Sequence, residues 1–325
     1  MSQEIIETPK DILIVSSSPH LRHEDSTRGI MLDVLIALVP AAVAGIVLFG
    51  PRAAAVLAVS IVSALLSEWI CCKIRRIPNT LGDLSAVVTG LLLGMNLPAG
   101  LPLWMAAIGS GVAIVIVKQM FGGLGHNFAN PAITGRIVLM VSFPPAMTTW
   151  IQPFQWMNKT DAVAAATPLA GGEATLRELF LGLRGGCIGE VCAAALLVGG
   201  VYLVLRRVIT PTAPLAFILT VGGMMWIFGE NPLSQMMSGG LLLGAIFMAT
   251  DYVTTPSSFK GRLIFGVGCG LITAVIRHFG SLPEGVSYSI LLMNIVTPYI
   301  NRLTAPKPFG TVKEKKRKEA AADAK

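Results

Sequence analysis

Gly90-Leu91-Leu92-Leu93-Gly94 in the first half of the chain is matched by Gly240-Leu241-Leu242-Leu243-Gly244 in the second. Each is approached through an Asn-X-Leu step, Asn79-Thr80-Leu81 and Asn231-Pro232-Leu233. Further on, Phe121-Gly122-Gly123-Leu124-Gly125 is echoed by Phe279-Gly280-Ser281-Leu282-Pro283. Apolar runs surround both copies: 30–50, 53–72, 83–96, 102–120 and 131–147, then 187–205, 213–229, 236–250, 263–279 and 285–301. Five runs per half is an odd number, so a repeated unit enters the membrane from opposite sides in the two halves. The expected fold is an all-α polytopic membrane protein of about ten transmembrane or half-membrane helices, arranged as two inverted five-helix repeats. Leu and Gly dominate membrane helices in general, and chance similarity is the competing account of the repeat.

The third run of each half is too short to cross a bilayer. Residues 83–96 would make about 21 Å of helix at 1.5 Å per residue, against a hydrocarbon core of about 30 Å. Residues 236–250 are the same case. Irregular backbone at membrane depth is tolerated where protein or a polar cavity satisfies its amides and carbonyls. Corresponding short elements in two halves therefore point to a central ligand cavity, beside the plainer reading of re-entrant helices used for packing.

Composition fixes the class. Of 325 residues, 53% are hydrophobic and 13% charged, and the mean hydropathy is +0.69, too apolar for an ordinary soluble domain. The net charge of +7 is spread over short loops, which reads as membrane topology and not as nucleic-acid binding. With a cytoplasmic N-terminus, Lys73, Arg75, Arg76, Lys118, Arg206, Arg207, Lys260, Arg262 and Arg302 fall inside, as does the tail beginning Lys313. Only Arg52, Lys159, Arg177, Arg184 and Arg277 fall outside, with Arg136 near the inner boundary. The expected organisation is a cytoplasmic segment 1–29, a membrane repeat 30–147, an external loop 148–186, a second repeat 187–301 and a basic cytoplasmic tail 302–325. The tail reads as solvated, with anionic membrane lipids as a secondary contact.

The five cysteines lack any Cys-X-X-Cys spacing, so they read as buried free thiols and not as the ligands of an iron–sulfur cluster or other metal. Asp33, Glu68, Asp83, Glu190, Asp251 and Glu284 fall near run ends, where a carboxylate reaches headgroups or water. Asp83 and Asp251, at the mouths of the two short elements, are the candidates for an ion path. His126, between Gly125 and Asn127, reads as a hydrogen-bonded turn residue.

The external loop holds the most informative stretch for function, Asp161-Ala162-Val163-Ala164-Ala165-Ala166-Thr167-Pro168-Leu169. It resembles the acceptor at which a flavin transferase esterifies FMN to a threonine hydroxyl: Asp, two variable residues, Ser or Thr, a small residue, Ala, Thr. Thr167 is the acceptor and Asp161 the acidic start. Alanines leave the hydroxyl accessible, and Pro168 keeps Thr167 out of a helix interior. Ala164 stands where the pattern has Ser or Thr. A plain Thr-Pro-Leu turn is the bland alternative.

Motifs along nearly the whole chain join this one. They are Ser17-Ser18-Pro19-His20, Asn79 to Asp83, Gly90 to Gly94 through Pro98, and Gly122 to Pro131. Ser142-Phe143-Pro144, Met147 to Trp150, Asp161 to Leu169, Phe247 to Asp251 and Thr254-Thr255-Pro256 complete the set. On them the sequence resembles the D subunit of the Rnf electron-transport complex and, more distantly, the B subunit of the sodium-translocating NADH:quinone oxidoreductase. The resemblance implies FMN linked to Thr167 on the outer face of a bacterial cell membrane. It also implies an electron relay in a complex that couples ferredoxin and NAD to a sodium or proton gradient. The implied partners are the other membrane and peripheral subunits, among them a flavin-bearing G-type subunit and iron–sulfur subunits, with a flavin transferase for maturation. A second, non-covalent flavin such as riboflavin is implied for the repeat cavity. Arg184, with Lys159 and Arg177 behind it, is a candidate contact for the FMN phosphate; solvated loop charge is the alternative for all three. No catalytic acid or base is expected. The competing function class is a small-solute channel or transporter with no redox cofactor. A purely structural assembly component is the third.

Overall fold

The computed structural model describes residues 26–157, 164–165, 169, 175–280 and 284–306. Helix α1, Thr27–Phe49, starts at Ser26, whose Oγ accepts from the Gly29 N–H at 3.1 Å. Along it Leu32, Ile36, Val39, Val43 and Val47 recur every three or four residues and stay 45–53% exposed, an apolar outer stripe suited to lipid or to a neighbouring subunit in the membrane. Gly50 takes φ 77° to turn the chain, and Pro51 opens α2, Pro51–Arg75, as a residue that needs no N–H partner in a first turn.

A 3-10 turn, Leu81–Asp83, leads into α3, Ser85–Met95. The Asp83 carboxylate accepts from the Ser85 N–H at 2.8 Å and from its Oγ at 2.5 Å, which holds the 3-10 turn to the first residue of α3. At 11 residues, or roughly 16 Å, α3 is the short element expected at 83–96. Helix α4, Leu103–Val112, continues as a π-helical stretch, Ala113–Gln119. Asn130 and Pro131 open α5, Pro131–Ser142, with the Asn130 Oδ1 accepting from Ala132 and Ile133. Pro144 then divides α5 from the one-turn α6, Pro144–Met147.

Strand β1, Trp150–Ile151, pairs antiparallel with β2, Ala164–Ala165. Helix α7, Leu176–Leu181, carries a capping box between Thr175 and Glu178. Helix α8 spans Ala193–Leu205 and α9 Thr212–Ile227. The expected run at 187–205 becomes helical only at Ala193, because 187–190 folds into a turn bonded to the end of α3. The run at 236–250 also differs from a single short helix. It forms α10, Pro232–Met237, then a break at Gly239 (φ 62°), then α11, Leu241–Leu243, and a π-helical stretch, Gly244–Met248. The last helices among the described residues are α12, Phe259–Phe279, and α13, Val286–Thr304.

By length and composition α1, α2 and α12 can each cross a membrane, and five shorter apolar helices accompany them among the described residues. The chain is a helical, multi-pass membrane protein. Helix α2 lies on α3 and α4, and α4 on α5; α9 lies on α10 and α12, and α12 on α13. The halves meet where α1 packs on α8 and α5 on α13. At the first seam, a Cβ on Gly199 would sit 2.1 Å from the Ala37 carbonyl oxygen. Only glycine permits that approach, the small-residue contact by which helices associate in lipid.

Candidate functional site

Asn96, 2% exposed, ends α3 and joins the two short elements. Its Nδ2 donates to the Leu92 carbonyl at 2.7 Å and to the Met248 Sδ at 3.5 Å. Asn130 reaches the same place from α5, donating to the Met248 carbonyl at 3.3 Å. The turn before α8 is stitched on as well: Ile188 N–H donates to the Leu97 carbonyl at 3.1 Å and Gly189 N–H to the Met95 carbonyl at 2.8 Å. Freed carbonyls and amides at these helix ends are thus satisfied by protein, as burial in lipid requires.

Beside this junction lies a buried charge cluster. Arg136 of α5 is 2% exposed. Its Nη1 donates to the Asn96 Oδ1 at 2.6 Å, and its Nη2 donates to the Cys187 Sγ at 3.5 Å and pairs with Glu284. Cys187 N–H donates to Glu190 Oε1 at 3.0 Å. The Cys187 thiol and one oxygen of each of Glu190 and Glu284 lie within 4.8 Å of one another. The Arg136 guanidinium already provides the cation for this group, so the cluster is an ion-pair network. From α12, Arg277 donates to the carbonyls of Gln235 at 2.6 Å and Ser238 at 2.9 Å.

The cluster forms the floor of a pocket of about 400 Å³, mouth included, walled by Leu169, Leu179, Arg184, Glu190, Gly239 and Glu284. Three polar atoms of these residues are buried without a hydrogen-bond partner among the described residues: Arg184 Nη1, Glu190 Oε2 and Glu284 Oε1. Burial lowers the affinity of the Arg184 guanidinium for its proton while Glu178 opposes the shift; an arginine stays charged regardless. The Glu178 carboxyl, on the exposed cap of α7, is held below its ordinary value, first by the Thr175 backbone N–H.

A second cavity opens at the other end of α4 and α5, with Ser85, Thr89, Lys118, Asn127, Phe247 and Asp251 in its wall. Lys118 is 2% exposed and Glu68 is fully buried. The Lys118 Nζ donates to Glu68 at 2.8 Å and 3.0 Å and to the Ser85 Oγ at 2.6 Å. Glu68 also accepts from Thr80 at 2.6 Å and Gln119 at 3.1 Å.

Thr167 and Asp161, like Lys159, lie outside the described residues. The flanks of Thr167 are described: Ala165 pairs with Trp150, and Leu169 projects so close to Gly239 that a Cβ there would meet its Cδ1 at 2.7 Å. Arg184 stands in the pocket with Leu169. Asp251 lines the second cavity and accepts from the Thr254 Oγ1 at 3.0 Å, whereas Asp83 is engaged by Ser85 at the start of α3. Sequence reading set Glu68, Glu190 and Glu284 at run ends in reach of water, and Arg136 near the inner boundary. Glu68, Glu190 and Arg136 are buried, and Glu284 is 13% exposed at its side chain. Partners of Glu68, Arg136 and Glu284 come from segments far away in sequence, which run-end position does not reveal.

The model of the NQR2, RnfD, RnfE family matches residues 14–310. The chain belongs to this family. It is 48% identical over 318 residues to the D subunit of the Na(+)-translocating ferredoxin:NAD(+) oxidoreductase complex of Acetobacterium woodii, with 95% of this chain and 98% of that one covered. With the D subunit of the proton-translocating ferredoxin:NAD(+) oxidoreductase complex of Clostridium ljungdahlii it shares 46% over 324 residues, covering 93% and 97%. With the D subunit of the ion-translocating oxidoreductase complex of Cronobacter sakazakii it shares 35% over 344 residues, covering 91% and 98%. Family membership bears out the resemblance read from the motifs between Ser17 and Pro256.

Proposed function

We propose that this chain is the D subunit of a membrane oxidoreductase complex that moves electrons between ferredoxin and NAD and couples them to Na+ or H+ translocation. We propose further that it carries FMN as a phosphoester on Thr167. Relatives of that name at 46–48% identity support the complex. One observation carries the flavin reading. Leu169, two residues beyond Thr167, lines a pocket whose wall presents a guanidinium nitrogen, Arg184 Nη1, with no partner among the described residues. A phosphoester keeps negative charge, and a planar guanidinium is the side chain best matched to it. Asp161 serves recognition by the flavin transferase. Bound FMN supplies reversible electron transfer, while the chain fixes its loop, excludes water and sets the local charge.

The remaining roles belong to the same proposal. The 148–186 loop faces outward from the bacterial cell membrane, and both termini face the cytoplasm. Electrons pass between this site and the partners' flavin and iron–sulfur centres. The cavity walled by Thr89, Asn127, Phe247 and Asp251 suits a second, non-covalent flavin such as riboflavin. Asp251 stands on its wall as the stronger ion-path candidate, with Asp83 behind it. Two inverted five-helix repeats are supported by an echo at the short elements. Lys118, at the end of the α4 run, bonds Ser85 at the start of α3; Arg277, at the end of α12, bonds Gln235 in α10.

The test is flavin fluorescence of the denatured chain on a gel, wild type against Thr167→Ala, co-expressed with the flavin transferase. Fluorescence that survives denaturation and vanishes in Thr167→Ala is the expected result. A dark wild-type band, with the transferase active on another acceptor, overturns the flavin reading and favours a solute channel.

A further inference from the structure

Buried carboxylate oxygens without donors are costly, because an ionised carboxylate only accepts hydrogen bonds. Glu190 is 6% exposed, yet its Oε2 has no partner among the described residues, and neither has the Oε1 of Glu284. Both acids wall the pocket that receives Leu169, two residues beyond Thr167. A Cβ on Gly240 would stand 3.1 Å from Glu190 Oε2 and 3.4 Å from Arg136 Nη1, so the chain passes directly over both the acid and its counter-charge.

The charged and titratable groups around the pair come from every element that meets there. Arg136 of α5 and Cys187 of the turn before α8 bond to the two acids. The charges of Glu190 and Glu284 also act on Arg277 of α12. Arg184 lines the pocket from the connection after α7, and Tyr288 of α13 feels both Glu284 and Arg136. Arg136 bonds Asn96, Cys187 and Glu284 through its two Nη atoms, and Arg277 bonds backbone carbonyls through its own; the Nε of each and the Nη1 of Arg184 are buried without a partner as well. None of these donors bonds the two orphan oxygens, so among the described residues each acid keeps one unsatisfied oxygen. A proton is the ligand that turns one of them from acceptor into donor.

We infer that the Glu190–Glu284 pair is a proton-binding site linked to the redox state of the flavin on the neighbouring loop. This rests on the flavin reading of Thr167. An electron from a reduced flavin or iron–sulfur centre elsewhere in the complex adds one negative charge beside the pocket. That charge raises the proton affinity of nearby carboxylates. One proton leaves water and forms an O–H bond on the pair. When the electron moves on to the next oxidised carrier, the O–H bond breaks and the proton returns to water. Charge and atoms balance at each stage, and the linkage is reciprocal: protonation of the pair makes the flavin easier to reduce.

The test is redox-difference infrared spectroscopy on the purified complex, run in H2O and D2O. Reduction of the wild type is expected to produce a protonated-carboxyl C=O band that shifts in D2O. The band is lost in Glu190→Gln and returns, displaced, in Glu190→Asp. In parallel, the flavin midpoint potential of the wild type depends on pH more steeply than that of Glu190→Gln. A wild type whose covalent flavin is reduced without such a band overturns the inference, as does a band unchanged in both Glu190→Gln and Glu284→Gln. Those outcomes leave the flavin reading standing. A wild-type chain that is dark after denaturation fails at the earlier step, at Thr167.

Discussion

The Nη1 of Arg136 donates to the Oδ1 of Asn96 at 2.6 Å, across 40 residues of sequence, and so fastens the end of the short α3 to the interior of α5. The same guanidinium reaches Glu284, 148 residues further on. One side chain therefore ties together the first short element, the last long helix of the first half and the connection before α13. It is also the cation that makes burial of Glu284 tolerable.

Removing that cation strands an acid. Arg136→Ala is expected to destabilise the fold by about 3–5 kcal/mol, the usual cost of breaking one partner of a buried pair. Thermal unfolding in detergent measures it. Combining Arg136→Ala with Glu284→Gln should recover part of the loss, since the uncompensated charge is gone; a double variant as unstable as the sum of the two singles would contradict this account.

Lys118 and Glu68 form the equivalent pair at the other cavity. A double-mutant cycle with Lys118→Met and Glu68→Gln should return a coupling energy of about 1–3 kcal/mol, as for contacting residues in one network. The readout is the unfolding free energy of the four proteins. Additivity within about 0.5 kcal/mol would mean the two groups do not interact.

The seam between α1 and α8 has no room for a side chain at Gly199, where a Cβ meets the Ala37 carbonyl oxygen at 2.1 Å. Gly199→Ala should cost about 1–3 kcal/mol through overpacking, and Gly199→Leu more. Gly223, whose added Cβ meets nothing within 4 Å, is the control: Gly223→Ala should be tolerated.

Acidification should loosen α7. The Glu178 carboxyl is held low by the folded cap, so its contribution is complete above the ordinary carboxylate value and is lost as pH falls through the lower, folded value. Hydrogen exchange over 175–181, taken relative to the intrinsic amide rate at each pH, should quicken across that window. Thr175→Ala, which removes the cap hydroxyl at a cost of about 1 kcal/mol, should quicken it at neutral pH.

Much of this architecture is written locally. Asn130-Pro131 and Asn231-Pro232 announce helix starts because an Asn side chain caps and a proline needs no donor. The shortness of α3 follows from where Asp83 and Pro98 stand. The π-helical stretches at 113–119 and 244–248 leave no such mark, since their wider turns arise from packing. The second short element breaks at Gly239, which a Gly239-Gly240 pair hints at without fixing. Membership of the family was legible from scattered motifs, none of which includes Arg136 or Glu190. The sequence sets those two at a run end and near the inner boundary without their burial or pairing, because position along an apolar run reports depth and not company. Arg136 finds Glu284 only through a contact between segments 148 residues apart.

That separation has a cost in time. At a synthesis rate of about 5–20 residues per second, Arg136 leaves the ribosome roughly 7–30 s before Glu284 exists. During that interval a charged helix must wait at the translocon or in lipid without its acid. The first half is therefore not an independently maturing module. A chain halted after α5 would expose an unmatched guanidinium to the quality-control proteases of the membrane, whatever the quality of its other contacts.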